Sequence, residues 1–489
     1  MRRQTSWKLS TSTNIFDFFC DFVGFCQPLQ TPKYWSRSLK FFHAAFLTMI
    51  CFFISYSFFI RHIVLNAHPD IGWISELIWQ NPLQQLETQS YKLGWNSGWE
   101  FHISPFLSVA SLFSYLWPGL QMTWMATFLA AQVSFIYWPL QQILRFRVFI
   151  GEKPLDSIFS YLIASLLTVG GAVTGSLIFP HYELFQITFF VWMLFGLHCK
   201  NRFIFYSSFA LFLSVREDSL LFTIVLILVT LPFANQVLRR RLAALIALFS
   251  SSLGLIFLGR RLFFDTESIF SSDYLGNPPF DHLSVQFLVQ RFELMIENNV
   301  WILGTIFCLV TLAVYNKVYR SIASVLPVFG LLGVGLLTFS GAKGTFLFYY
   351  SIPFFFFILF SLLTLVASHA KLDLSIRIAM ALSLTPLAFP IFQNDFYLGR
   401  TLVSQVPTNA LLAELESDTK RFVAQGYLLH ESMYAFNPSA MKPGVIFHSE
   451  NNRECVVVPL PHLGEFDELT LDISRFEGSD FFYRVCPPS

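Results

Sequence analysis

Long apolar runs separated by short polar clusters dominate the hydrophobic pattern of this chain. Eleven runs are long enough, or nearly so, to form helices that cross a bilayer, for which about 20 apolar residues are needed. They cover residues 41–61, 119–143, 154–179, 184–198, 202–215, 219–238, 242–260, 300–318, 321–340, 346–367 and 375–394. The pattern predicts an all-α polytopic membrane protein with about 11 transmembrane helices. The fourth and fifth runs are short, so it stays open whether they cross fully or lie partly buried in the bundle.

The composition agrees with a membrane location. Hydrophobic residues make up 54% of the chain and charged residues 13%, whereas soluble domains carry about 25% charged residues. The formal net charge of +1 provides no clustered basic surface, so nucleic acid is excluded as a partner. We expect most of the 59 Phe residues to contact lipid or neighbouring helices rather than a ligand.

Basic residues in alternate connections predict the orientation of the chain. Lys and Arg concentrate in short cytoplasmic loops of membrane proteins. With the N-terminus inside, these loops contain Arg145, Arg147, Lys153, Lys200, Arg202, Arg239, Arg240, Arg241, Lys317, Arg320, Lys371 and Arg377. Residues 1–40 then form a cytoplasmic segment before a retained first helix, and the C-terminus lies outside a cytoplasmic (inner) membrane. Within that segment, residues 15–25 either lie flat on the inner surface or are disordered.

Two outer connections are long, and a distinct domain follows the last run. The connection 62–118 contains a candidate interfacial helix at 71–79, and the connection 260–299 is either a lid over a site or an ordinary linker. The membrane domain spans 41–394. Residues 395–489 are predicted to form a small extracytoplasmic α/β domain with strands near 444–447, 455–458 and 481–485 and a helix near 409–416. Its only cysteines, Cys455 and Cys486, could form a disulfide in an oxidising compartment.

Short polar clusters all fall on the predicted outer face. They contain Asp70, Glu100, His102, His181, Glu183, Arg216, Glu217, Asp218 and Lys343. Each cluster alone has a local explanation: Asp70 could cap a helix, and Glu217 and Asp218 could complement the dipole at a helix start, with Arg216 as counter-ion. Together they provide bases, carboxylates and cations on one side of the membrane, so a chemical site there is expected.

The order of these clusters carries a resemblance to a known family. The segments Pro-Asp-Ile-Gly-Trp-Ile-Ser-Glu-Leu-Ile-Trp (69–79), Glu-Phe-His-Ile-Ser-Pro (100–105), Phe-Pro-His-Tyr-Glu (179–183) and Val-Arg-Glu-Asp (215–218) resemble the DUF2079 family of bacterial membrane proteins. That family in turn resembles the GT-C glycosyltransferases, multi-span enzymes that use polyprenyl-phosphate sugars. The resemblance covers roughly Lys40 to the end of the last run.

The resemblance implies roles for the outer-face residues. Asp70 matches the acidic residue of the first outer loop, the usual candidate base in GT-C enzymes. A second acidic cluster is formed either by His181 and Glu183 or by Glu217 and Asp218. Lys343 or Arg216 would neutralise a leaving phosphate. The chain lacks an Asp-x-Asp at position 70, so metal dependence is open; the cofactor is undetermined, with a divalent metal ion as one candidate.

The expected function is transfer of a sugar from a polyprenyl-phosphate donor to an acceptor at the outer face of the cytoplasmic membrane. His102, His181, Glu183, Glu217 and Asp218 would then bind the acceptor, a metal ion or each other, and Glu100 belongs to the same candidate set. Membrane lipid and the polyprenyl-phosphate sugar would be the partners. Two other classes remain open. A transporter or lipid flippase usually places charges near the bilayer midplane and has internal repeats, and a non-catalytic envelope protein would use its outer domain to bind a partner.

Overall fold

The computed structural model of this chain describes a set of separate residue ranges. The described residues are 14–23, 41, 44–45, 48–49, 89–90, 103–114, 121–147, 154–169, 182–264, 274–276, 278–346, 348–367, 374–387, 417–418, 421–422, 425, 428–429, 445–447, 455–459, 472–476 and 482–486. Within these residues the protein is mostly helical, with a small sheet near the C-terminus.

Thirteen helices lie within the described ranges. They are α1 (Ile15–Phe22), α2 (Pro105–Ser114), α3 (Gln121–Arg147), α4 (Pro154–Val169), α5 (Leu184–His198), α6 (Arg202–Val215), α7 (Asp218–Thr230), α8 (Gln236–Phe264), α9 (Val285–Tyr315), α10 (Tyr319–Leu337), α11 (Gly341–Gly344), α12 (Ile352–Ala367) and α13 (Leu374–Leu384). Short 3-10 turns follow α7 at Leu231–Phe233 and precede α12 at Phe348–Ser351.

Ten of the eleven predicted runs overlap one of these helices, and the run 41–61 lies mostly outside the described residues. Within the described part of the chain, three helices are long and apolar enough to cross a membrane: α8, α9 and α10. Six further apolar helical segments there are shorter, with 10 to 17 residues. The structure therefore supports a helical membrane protein.

Two helices, α5 and α12, are enclosed by protein. Twelve of the 15 residues of α5 are buried, and in α12 every residue from 352 to 366 is buried. Phe356 of α12 packs against Phe190 of α5, Phe212 of α6 and Phe222 of α7, with ring centroids 4.8, 5.5 and 5.8 Å apart. A helix that is apolar all round has no water-facing side and belongs in such an interior. The Phe residues were expected to contact either lipid or neighbouring helices, and these four contact neighbouring helices.

The helices α5 and α6 form a tight hairpin. They are joined by Cys199, Lys200 and Asn201, and the Asn201 side chain accepts a hydrogen bond from the backbone N–H of Ile204, which caps α6. A Cβ atom at Gly196 would lie 2.5 Å from the backbone nitrogen of Phe205. Glycine at this position thus allows the two backbones to approach each other.

The N-terminal helix α1 packs against one end of the bundle. The ring of Phe22 lies 5.4 Å from Phe233, after α7, and 5.3 Å from Phe360 of α12, and Arg320 of α10 lies over Phe22. At the other end of α1, Phe16 contacts Phe205 of α6. Residues 15–22 are therefore an ordered helix docked on the protein. Disorder was one of the two predicted options for this stretch, and it does not apply to these eight residues.

The predicted outer connection 260–299 is shorter than the sequence indicates. Helix α8 continues to Phe264 and α9 already begins at Val285. Apolar residues between positions 285 and 296 extend the helix towards its N-terminus, and the predicted run begins too late because Arg291, Glu293 and Glu297 interrupt the apolar pattern. Asn299 has non-helical backbone angles and marks a kink between residues 285–298 and the rest of α9.

The chain divides into two compact units. One consists of residues 1–50, 132–177 and 183–397, and the other of residues 51–131, 178–182 and 398–489. The second unit thus contains nearly all of the predicted tail domain 395–489 and also the whole of the predicted connection 62–118. In this unit β1 (Gln89–Ser90) pairs in parallel with β3 (Val445–Phe447).

A four-stranded sheet forms the described core of the C-terminal region. Its strand order is β2 (Leu428–Leu429), β4 (Val456–Pro459), β6 (Phe482–Cys486) and β5 (Asp472–Arg475). Strands β3, β4 and β6 coincide with the three predicted strands. A disulfide joins Cys455 and Cys486 at the ends of β4 and β6. The predicted helices at 71–79 and 409–416 lie outside the described residues.

Candidate functional site: a charge cluster at the helix ends

Arg216 is the centre of a cluster of charged side chains in the first unit. It follows the last residue of α6 in an extended conformation, which turns the chain into α7. Its guanidinium group forms an ion pair with Glu183, at the start of α5. Its Nε atom also lies 3.4 Å from Oδ2 of Asp218, the first residue of α7. One arginine thus connects the ends of three helices.

Gln186 binds the other carboxylate oxygen of Asp218. Its Nε2 atom donates hydrogen bonds to Oδ1 of Asp218 at 2.7 Å and to Oγ of Ser219 at 2.9 Å. Gln186 lies in the first turn of α5 and is 1% exposed. A polar side chain in an apolar run is a signal for such a role, because a buried amide without partners is costly. The predicted site did not include Gln186.

A second ion pair continues the cluster to α8. Nη2 of Arg260 lies 2.9 Å from Oε1 of Glu217. The predicted site did not include Arg260 as a partner of Glu217, because the hydrophobic pattern places Arg260 only at the beginning of an outer connection. The five charged residues, Glu183, Arg216, Glu217, Asp218 and Arg260, are called the Arg216 cluster below.

Helix capping does not account for these carboxylates. Glu183 and Glu217 occupy the N-cap positions of α5 and α7, yet both have helical backbone angles and neither side chain makes a capping hydrogen bond. Their carboxylates pair with arginines instead. The local alternative of carboxylates at helix starts, with Arg216 as counter-ion, agrees with this arrangement, because Arg216 pairs with Glu183 and Asp218 and a negative charge is favourable in the first turn of a helix.

Most of the cluster is withdrawn from solvent. The exposed fractions of the side chains are 4% for Glu183, 10% for Arg216, 9% for Glu217 and 12% for Arg260, but 28% for Asp218. Three carboxylates face two guanidinium groups, so the cluster has a formal charge of −1. Buried carboxylates remain charged only if they are paired. Asp218 is the carboxylate of the cluster that an external molecule reaches most easily.

Lys343 lies in a different set of contacts. It belongs to α11, and its Nζ atom lies 5.5 Å from the ring centroid of Tyr274. Arg291 of α9 fixes the preceding segment, because its guanidinium group donates hydrogen bonds to the carbonyl oxygens of Gly341 at 2.9 Å and of Phe339 at 2.8 Å. Asn299, at the kink of α9, donates to the carbonyl oxygen of Thr345 at 2.6 Å.

Part of the outer connection before α9 packs on this segment. The backbone N–H of Phe339 donates to the carbonyl oxygen of Tyr274 at 3.1 Å. The ring of His282 contacts Phe339, and its Nε2 atom lies 3.2 Å from the carbonyl oxygen of Leu337. Tyr274 and His282 of the predicted connection thus contact the segment 337–339 at the end of α10.

The structure thus brings together four of the predicted site residues: Glu183, Arg216, Glu217 and Asp218. The predicted residues Asp70, Glu100, His102 and His181 lie outside the described part of the chain. Among the residues that are described, no three His, Cys, Asp or Glu side chains form a group that could hold a metal ion. A divalent metal ion thus remains only a candidate cofactor.

Fold and site together define a helical protein of membrane type with a paired charge cluster at its helix ends. Comparisons with protein-family models, with curated proteins and with solved structures found no match for this chain.

Proposed function

We propose that this protein is a membrane glycosyltransferase of the GT-C type, with about eleven spans, which moves a sugar from a polyprenyl-phosphate donor to an acceptor hydroxyl at the outer face of the cytoplasmic membrane. The observation that carries the proposal is the Arg216 cluster. Residues from positions 183, 216–218 and 260, all predicted on one face, meet at adjoining helix ends. The sequence resemblance to the DUF2079 family supplies the reaction class.

In the proposed reaction, the acceptor oxygen attacks the anomeric carbon and the bond from that carbon to the phosphate oxygen breaks. Asp70 takes the proton of the acceptor hydroxyl, as a general base does. The polyprenyl phosphate leaves with the electron pair of the broken bond. Attack from the face opposite the leaving group inverts the anomeric centre.

The pairing in the Arg216 cluster changes one role expected from the sequence. Arg216 is bound to Glu183 and Asp218, so we assign it to holding these carboxylates rather than to the leaving phosphate. Lys343 is then the predicted cation for the phosphate. Asp218, held by Arg216 and Gln186 yet 28% exposed, accepts a hydrogen bond from the acceptor.

The first prediction compares carboxamide variants of the two carboxylates. Membranes containing the full-length protein are supplied with labelled polyprenyl-phosphate sugars, and transfer to acceptors is measured. We expect Asp70→Asn to lower the rate by about 10²-fold or more, since general-base catalysis contributes that much. Asp218→Asn should mainly raise the acceptor KM, because an amide retains only part of the hydrogen bonding.

Asp281→Asn serves as the control for this experiment. Asp281 is exposed in the connection before α9, so its variant should transfer sugar at the wild-type rate. Protein amount and thermal stability are measured for every variant. Undiminished transfer by Asp70→Asn would remove Asp70 as the base. Absence of transfer by the wild type from every donor, together with solute uptake into vesicles, would favour a transporter instead.

A further inference from the structure

The start of α8 carries three consecutive arginines, Arg239, Arg240 and Arg241, which are called the α8 arginines below. All three are exposed. Arg239 donates a hydrogen bond through Nη2 to the carbonyl oxygen of Pro232 at 3.0 Å, a contact that neutralises no charge. Among the described residues, no carboxylate lies within 4.0 Å of the guanidinium group of Arg239 or Arg240. Adjacent like charges repel one another, so a negative partner is favourable at this position.

The spacing of charges along α8 places these arginines at the headgroup level of a bilayer. Between Arg241 and Arg260 the helix contains no charged residue. This stretch is about 28 Å long at 1.5 Å per residue, close to the hydrocarbon thickness of about 30 Å. At the far end of the helix, Arg260 already has a partner in the protein, because it pairs with Glu217 at 2.9 Å. The two ends of α8 therefore differ in how their positive charge is balanced.

Helix α8 is also the candidate span with the least protein around it. Only 11% of its apolar window is buried, against 39% for α9 and 28% for α10. Leu248, Leu255 and Leu258 are exposed along its length. In a bilayer these side chains contact acyl chains, so the headgroups of the same lipids lie beside the α8 arginines. Long arginine side chains reach the headgroup level from such positions.

Neighbouring residues add positive charge at the same end of the bundle. Arg239 contacts Pro232, and Arg320 of α10 lies 5.8 Å from the ring centroid of the adjacent Phe233. Lys317, three residues before Arg320, is exposed. These cations come from the ends of three helices that meet here, so the positive charge belongs to a surface rather than to one helix.

Helix α1, which packs at this end, brings two acidic residues, and both lie beside other cations. Asp17 lies 3.7 Å from Arg202 of α6. Asp21 lies beside Arg320 and accepts a hydrogen bond from it through the carbonyl oxygen. The docking of α1 thus leaves Arg239 and Arg240 without a carboxylate among the described residues.

We propose that the α8 arginines bind anionic phospholipid headgroups of the adjoining leaflet. Guanidinium groups bind phosphate oxygens through paired, charge-assisted hydrogen bonds. A zwitterionic headgroup has the same phosphate but adds an ammonium group, which the arginines repel. The acyl chains of the bound lipid lie along the exposed apolar side of α8. This inference is independent of the proposed glycosyltransferase function and of which end of the bundle faces the cytoplasm.

The test uses the full-length protein in nanodiscs with equal amounts of phosphatidylglycerol and phosphatidylethanolamine. Lipid that stays bound when the protein is released is identified by native mass spectrometry. We expect the wild type to retain phosphatidylglycerol in preference. Arg239→Gln/Arg240→Gln should lower this preference by about two- to five-fold, as expected for basic residues near an anionic membrane surface. Arg239→Lys/Arg240→Lys keeps both charges and should retain most of the preference.

Arg475→Gln/Arg484→Gln is the matched control, because it also removes two exposed arginines, but from the C-terminal sheet. It should retain phosphatidylglycerol as the wild type does, and the Tm of every variant is measured to show that the helices stay folded. An unchanged preference in Arg239→Gln/Arg240→Gln would overturn the proposal. So would an equal loss in the control or in the lysine pair, or a wild type that retains the two lipids equally.

Discussion

At the residue scale, Arg216 determines whether the cluster is stable. Its guanidinium group is the positive partner of both Glu183 and Asp218. Removing one partner of a buried ion pair leaves an uncompensated charge, which costs more than the pair itself contributes. Since Glu183 is 4% exposed, its carboxylate has little access to water as a substitute partner.

We therefore predict that Arg216→Met destabilises the protein by about 3–5 kcal/mol, measured as a lower Tm in detergent. Adding Glu183→Gln should recover part of the loss, because it removes the unpaired buried carboxylate. Arg261→Met, at an exposed position of α8, is the control and should change the Tm little. If Arg216→Met behaved like Arg261→Met, the Arg216 cluster would not be the stabilising contact that its geometry indicates.

The sequence identified four members of this cluster but not Gln186 or Arg260. Residue type and the end of an apolar run were enough to single out Glu183, Arg216, Glu217 and Asp218. The partners Gln186 and Arg260 lie 32 and 43 positions from the carboxylates that they bind. Their contacts depend on how each helix is rotated about its own axis, which a hydropathy pattern does not fix.

At the element scale, the hydrophobic pattern predicted where helices form better than where they end. The predicted runs 184–198 and 202–215 match α5 and α6, because polar residues bound both of them. The outer part of α9 was assigned to a connection, since charged residues interrupt its apolar positions. Helix packing also decides what a run contacts: α5 and α12 are enclosed by protein, although their composition would equally suit a lipid-facing helix.

The close approach of α5 and α6 leads to a prediction about Gly196. In Gly196→Ala the new Cβ atom would lie 2.5 Å from the nitrogen and 2.8 Å from the Cα of Phe205, so the helices must separate. We expect a loss of about 1–3 kcal/mol, typical of overpacking, seen as a lower Tm. Gly254→Ala is the matched control, because a Cβ atom there has no neighbour within 4 Å. A Tm for Gly196→Ala as high as that of Gly254→Ala would contradict the close approach.

At the scale of the first compact unit, the two ends of the helices have different partners. The Arg216 cluster gathers the start of α5, the end of α6, the start of α7 and Arg260 of α8. Helix α1 gathers the end of α5, the start of α6, Phe233 after α7 and Arg320 of α10. These are the outer and inner ends, respectively, in the predicted topology. These contacts indicate that successive helices from α5 to α8 run in opposite directions, which agrees with the alternation predicted from the basic residues.

The last prediction concerns which end of the helix bundle faces the cytoplasm. Cysteine labelling can decide this. Cys199 is exposed between α5 and α6, on the predicted inner side, while Asp281 is exposed on the predicted outer side. In intact spheroplasts a membrane-impermeant maleimide should label Asp281→Cys but should reach Cys199 only after permeabilisation, with Cys199→Ser identifying the Cys199 signal. Labelling of Cys199 in intact spheroplasts would reverse the topology. The Arg216 cluster would then face the cytoplasm, and a reaction that uses an acceptor outside the membrane could not take place there.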